Sequence, residues 1–175
     1  MAYLSIKLDH VAALREVRRL KTPDPAQAAV LVELAGADGI TVHIRKDRRH
    51  FRDRDLFVLR EASRSRLTVE AAPTEDNINR LAEIKPYMVT FVPEVDGELT
   101  TQSGFSPSAE FESMEDTCRK LQELDVRVAL LIDPEADAVK QAVRMQVDAV
   151  KLFSGYFAAA KNDREGMAEL VKIEK

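Results

Sequence analysis

The stretch Gly39-Ile40-Thr41-Val42-His43-Ile44-Arg45-Lys46-Asp47-Arg48-Arg49-His50 is a short apolar run that ends in two histidines and a knot of arginines. Side chains alternate faces along a β-strand, so Ile40, Val42 and Ile44 point one way while Thr41, His43 and Arg45 point the other. One face is built for packing and the other for chemistry. Such a strand suits a barrel whose outer face packs on helices and whose inner mouth holds a ligand. Arg45, Arg48, Arg49 and His50 then form an anion-binding rim; the competing reading of a basic run is a solvated loop.

Toward the N-terminus, Tyr3 to Asp9 reads as a strand with His10 at its end, and Val11, Leu14, Val17 and Leu20 recur at helical spacing. Asp24 and Pro25 open a second helix, which Gly36 closes just before the quoted stretch. Beyond it, Asp53 caps a helix through Leu56, Phe57, Leu59 and Ala62, and Leu67 to Ala71 reads as a strand with Thr68 and Glu70 on one face. Thr74 caps the next helix, with Glu75 and Asp76 in its first turn, and Pro86 ends it before the strand Tyr87 to Val92. The polar loop from Pro93 to Phe105 is long enough to be a functional lid or a tolerated insertion. Ser106-Pro107 opens a helix with the apolar stripe Phe111, Met114, Cys118, Leu121 and Leu124. Val126 to Ile132 is a fifth strand, and Asp133-Pro134 starts a helix through Val139, Ala142 and Val143. Asp148 to Phe153 is a sixth strand, Gly155 turns the chain, and Asp163 caps a closing helix through Leu170 and Ile173.

Strands separated by helices, with no linker between them, argue for parallel βαβ units. The expected fold is α/β of the (β/α)8 TIM-barrel type, one domain over residues 1–175. Only about six units are present where a closed barrel takes roughly 250 residues, so the barrel is expected to be incomplete or open. Unpaired strand edges then favour a homo-oligomer. Chemistry in such folds gathers at the carboxyl ends of the strands, where Asp9, His10, His43, Arg45, Glu70, Asp133 and Lys151 fall. Asp133 has a second reading as a helix cap, and Glu70 a second reading as an ion-pair partner of an arginine.

With 45% hydrophobic and 32% charged residues, the chain reads as soluble and globular. A net charge of -4 and the lack of an Arg/Lys stripe argue against nucleic acid, which leaves a small phosphorylated partner. Cys118 is the single cysteine, so no intrachain disulfide is expected, and its place in an apolar stripe suggests a buried structural residue. No run reaches the ~18 apolar residues of a membrane span, so no membrane association and a cytoplasmic location are expected.

Leu8-Asp9-His10-Val11-Ala12-Ala13-Leu14-Arg15, the Thr22-Pro23-Asp24-Pro25 turn, Ala35 to His50 and Val92-Pro93-Glu94 together resemble the pyridoxine 5'-phosphate synthase family, collinearly along the whole chain. The resemblance implies condensation of 1-deoxy-D-xylulose 5-phosphate with 3-amino-2-oxopropyl phosphate in vitamin B6 biosynthesis, with no metal or redox cofactor. It implies His43 and Glu70 as proton acceptors. Asp9, His10, Arg45, His50 and Thr100 would surround the deoxyxylulose phosphate, and Arg18 would contact the amino-oxopropyl phosphate. Ring formation needs repeated proton transfers, which a histidine and a tuned carboxylate supply near neutral pH.

The chain departs from the family at Lys7, where the family has Asn, and at Lys151, where it has Glu. The family's third histidine and its glycine-rich anion loops follow a seventh and an eighth strand that have no counterpart here. Two alternatives therefore stand beside the synthase reading: a non-catalytic phosphate-ligand-binding or assembly paralogue or fragment, and an aldolase-like barrel that uses Lys151 as a Schiff-base amine. Lys151 shares a strand face with Ala149 and Phe153. It is expected either to point inward as a partly desolvated amine, to pair with Glu70 or Asp9, or to face solvent.

Overall fold

The computed structural model describes residues 2–106 and 114–174. Six parallel strands lie in sequence order in one sheet: β1 (Ser5–Lys7), β2 (Gly39–Ile44), β3 (Arg66–Ala71), β4 (Met88–Phe91), β5 (Arg127–Ile132) and β6 (Ala149–Leu152). Among the described residues the helices between and after them are α1 (Asp9–Arg18), α2 (Pro25–Leu34), α3 (Asp53–Ala62), α4 (Glu75–Ile84), α5 (Glu115–Gln122), α6 (Ala136–Arg144), α7 (Gly155–Ala158) and α8 (Asp163–Glu174).

The core lies between the sheet and the helices and follows the expected alternation. Ile40, Val42 and Ile44 of β2, Val69 and Ala71 of β3, and Val128, Leu130 and Ile132 of β5 are fully buried against helix residues such as Leu56, Leu59, Leu81 and Cys118. Burial pushes the Cys118 thiol up to about 12, which leaves it protonated and inert, as a structural residue should be. The opposite faces carry Lys7, Thr41, His43, Thr68, Glu70, Thr90 and Lys151, with Ala129 and Leu131 of β5 apolar among them.

The sheet is strongly curled. Glu70 on β3 touches Lys7 on β1 and Lys151 on β6, although β6 is three strands away in the sheet order. A flat sheet with strands about 4.8 Å apart would hold β3 and β6 roughly 14 Å apart. Curling brings their inner faces together around a common interior, the geometry of an open (β/α)-barrel.

Several element ends differ from expectation because tertiary partners claim the residues expected to cap them. β1 is shorter than Tyr3 to Asp9: the Leu8 N–H bonds the Thr41 carbonyl at 3.0 Å, after which the Asp9 carboxylate takes the His43 N–H at 2.8 Å and Asp9 opens α1. Asp53 does not cap α3. Arg52 does, donating its backbone N–H to the Asp55 carboxylate at 2.9 Å, while Asp53 pairs with Arg80 at 2.8 Å and Arg48 at 3.3 Å. Asp133 does not start α6 either, because the Gly104 N–H at 2.8 Å and the Ser106 hydroxyl at 3.4 Å hold its carboxylate. Asn162, not Asp163, caps α8: its side-chain oxygen accepts the Glu165 N–H at 3.0 Å, while the Glu165 carboxylate accepts the Lys161 N–H at 2.9 Å. Gly155 opens the short α7 instead of forming a positive-φ turn.

Asp24 and Thr74 cap α2 and α4 as expected, and Gly36 ends α2 at φ 96. Pro107 and Phe111, where the sequence begins the helix of Cys118, lie outside the described residues. Among the described residues no helix is long and apolar enough to cross a membrane.

Candidate active site

At the carboxyl ends of the strands the curled sheet encloses a cavity of about 590 Å³. Its floor is organised by Glu70, whose side chain is 4% exposed. The strand register sets His43 directly beside Glu70, so both point inward from adjacent strands. Lys151 Nζ lies 2.5 Å from Glu70 Oε1, Lys7 Nζ bonds Glu70 Oε2, and Lys7 also lies 3.2 Å from Asp9. Of the alternatives that strand alternation allowed Lys151, the structure shows the pair with Glu70. Glu70 is indeed an ion-pair partner, but of two lysines and not of an arginine.

Burial alone would lift the Glu70 carboxyl; the two ammoniums outweigh it and hold Glu70 below its ordinary value. Burial would lower Lys7, yet Glu70 and Asp9 together raise it. Burial lifts the Asp9 carboxyl, against the pull of Lys7. For His43, burial and then the Lys7 charge lower the imidazole to about 4, so it is neutral near pH 7. Its Nδ1 lies 3.9 Å from Glu70 Oε2, and its Nε2 is buried with no partner among the described residues. A buried imidazole nitrogen without a partner, on the wall of a cavity, is an open valence for a ligand.

The rim is different. Arg45 is buried, with Nε 3.2 Å from Glu94 and Nη2 3.6 Å from the Glu98 carboxylate and 3.3 Å from the Glu98 carbonyl. Both glutamates come from the polar loop that follows β4, which Phe105 anchors by donating its N–H to the Leu131 carbonyl at 2.8 Å. Gly104 permits that approach, since a Cβ there would sit 2.1 Å from the Ile132 carbonyl carbon.

The expected four-residue basic rim is dispersed. Arg48 turns away to Asp76 at 2.6 Å and Asn77 at 2.9 Å, and Arg49 bonds Asp47 and the Glu98 carbonyl. Arg45 and His50 remain on the cavity. The His50 Nδ1 is also buried without a partner among the described residues, and burial lowers this imidazole. His10 and Thr100 line the same cavity, whereas Arg18, at the exposed end of α1, does not.

Sequence reasoning passed over three positioning residues. Arg15 is buried on α1, pairs with Asp55 at 2.6 Å and donates to the His50 carbonyl at 3.2 Å, which fixes the loop carrying His50. Glu94 and Glu98 neutralise Arg45. Arg15 could have been singled out from its place one turn after Val11 and Ala12 on a helix face directed at the core. No local signal marks Glu98. Among the described residues no group of three His, Cys, Asp or Glu is placed to hold a metal ion.

A curled parallel sheet with its polar cavity at the strand ends, holding a neutral histidine, an ionised carboxylate and basic groups, defines a barrel protein equipped for proton transfer on an anionic small molecule. The family model described as pyridoxal phosphate biosynthesis protein PdxJ matches residues 4–175. The chain belongs to this family of vitamin B6 biosynthesis. It is 44% identical over 174 residues to a pyridoxine 5'-phosphate synthase of Geotalea uraniireducens (strain Rf4), covering 99% of this chain and 73% of that protein. A second such synthase, from Nostoc punctiforme, is 42% identical over 175 residues and is likewise covered over 73% of its length. Among solved structures, a mandelate oxidase aligns with TM-score 0.59 at 12% identity, over 97% of this chain and 59% of its own. A D-psicose 3-epimerase aligns with TM-score 0.51 at 11% identity, over 86% of this chain and 62% of its own. At such identities these two structures speak for the barrel fold alone.

Proposed function

We propose that the chain condenses 1-deoxy-D-xylulose 5-phosphate with 3-amino-2-oxopropyl phosphate to pyridoxine 5'-phosphate, phosphate and water. The observation that carries this reading is the in-register pair of His43, neutral with an open Nε2, and Glu70, ionised beside it on the cavity floor. Closing a pyridine ring from two acyclic phosphates removes protons from carbon and nitrogen and returns them to departing oxygens. A neutral imidazole accepts such protons, and an adjacent carboxylate stabilises the imidazolium that forms.

In this reading Asp9, His10, His50 and Thr100 surround the deoxyxylulose phosphate, and Arg45 meets its charge by exchanging Glu98 for the ligand. Arg18 lies outside this chain's cavity, so its contact with the second phosphate is made from a neighbouring copy in a homo-oligomer. Such an assembly also covers the edge strands β1 and β6, and the protein works in the cytoplasm. The test is to incubate the chain with both substrates and detect pyridoxine 5'-phosphate by mass. The expected result is product with the wild type and little with His43→Ala.

One observation favours a second reading, a phosphate-ligand-binding protein without turnover: two ammoniums hold Glu70 ionised and so make it a weak base. The same incubation decides, because ligand binding without product would select it.

A further inference from the structure

We propose that Lys151 is an amine nucleophile that captures a phosphorylated ketone or aldehyde as a Schiff base inside the cavity, an activity separate from the condensation above. Lys151 stands on the inner face of β6 near its carboxyl end, its side chain 50% exposed and lining a cavity large enough for a small sugar phosphate. The groups facing it are Glu70 from β3, Lys7 from β1, Asp9 from α1 and His43 from β2.

The two lysines are not equivalent. Lys7 has two carboxylates, Glu70 and Asp9, whereas Lys151 has half of one. A single negative charge shared by two ammoniums stabilises neither fully, and the better-paired Lys7 keeps its proton. Lys151, with the smaller share of negative charge and its side chain open to the cavity, is the amine positioned to meet a carbonyl carbon. Glu70 Oε1, 2.5 Å from Nζ, holds the amine in place on the cavity floor.

The chemistry balances without any further reactant. The Lys151 ammonium gives one proton to solvent water at its exposed side, and the free amine attacks the carbonyl carbon, forming the C–N bond. A second proton moves from nitrogen to the carbonyl oxygen, giving a carbinolamine. The hydroxyl then leaves with a proton returned from solvent, so the C–O bond breaks, one water departs and a protonated imine remains on Lys151. His43, neutral and with an Nε2 that has no partner among the described residues, lines the same cavity and can shuttle the second proton.

The test is reductive trapping. The chain is incubated separately with dihydroxyacetone phosphate and 1-deoxy-D-xylulose 5-phosphate, each with borohydride, and the adduct is mapped by mass. A secondary amine on Lys151 is expected with at least one probe. In Lys7→Met, Glu70 pairs with Lys151 alone and competes better for its ammonium, so trapping near pH 7 should slow several-fold. Lys151→Arg keeps the charge and the contact with Glu70, and it should fold normally while giving no adduct at this position. No adduct on Lys151 with either probe, or total labelling undiminished in Lys151→Arg, would overturn the proposal. Trapping with the wild type, alongside no pyridoxine 5'-phosphate from the borohydride-free incubation with both substrates, would leave it intact while sinking the synthase reading.

Discussion

The floor and the rim of the cavity are built from the same ingredients in opposite order. On the floor a buried carboxylate, Glu70, is held by two half-exposed ammoniums, so the cations face the cavity. At the rim a buried guanidinium, Arg45, is held by two glutamates of one loop, so its charge is already matched before a ligand arrives. The floor therefore presents reactive groups with open valences, and the rim presents a cation that a ligand must win from Glu98. Positive residues counted along a sequence do not distinguish these cases; the position of the counter-charge does.

The largest expected effect breaks the floor. His43→Ala should lower turnover about 10²- to 10⁴-fold, as loss of a general base does, with substrate affinity changed far less; steady-state kinetics separate the two. An equal fall in turnover in the His50→Ala variant, on the rim, would erase the distinction drawn here.

Next is the support beneath the rim. Arg15→Ala leaves Asp55 as an unpaired buried charge and frees the His50 carbonyl, so it should destabilise the chain by about 3 to 5 kcal/mol in urea unfolding. A loss under 1 kcal/mol would show that the pair contributes little to holding His50.

A third effect comes from protons. His43 sits at about 4 in the folded chain against 6.5 ordinarily, so the unfolded chain takes up the proton first as pH falls. The stability contributed by neutral His43 is complete above 6.5 and is lost on descent toward 4, amounting to about 3 kcal/mol. Unfolding free energies measured across that window should show this component in the wild type and lack it in His43→Gln.

The smallest effect sharpens the rim. Glu98→Gln removes one counter-charge from Arg45 and should tighten inorganic phosphate binding by about 0.5 to 1 kcal/mol in calorimetry. Unchanged affinity would mean that Glu94 alone controls Arg45.

The sheet was legible because its signal is local. Ile40, Val42 and Ile44 against Thr41, His43 and Arg45 is a period of two, and the structure keeps it. Glu70 was readable for the same reason, and its contact with Lys151 was one of the alternatives the strand alternation allowed. The fates of Asp53 and Asp133 were not legible: each has the residue type of a helix cap, but arginines or a distant loop draw the carboxylate away. Arg48 and Arg49 lie off the cavity: Arg48 is drawn to Asp76 and Asn77 of another element, where no local pattern reveals it, and Arg49 is held by its neighbour Asp47 and the Glu98 carbonyl. The cavity's chemistry was written in strand periodicity, and its electrostatics in contacts that only the folded chain makes.

The claim on which the account turns is that the floor holds a neutral His43 beside an ionised Glu70, and imidazole titration by NMR addresses it most directly. With the ring resonances assigned through His43→Gln, the account predicts that His43 stays neutral until the pH falls to about 4. A midpoint for His43 near the ordinary 6.5 would contradict it.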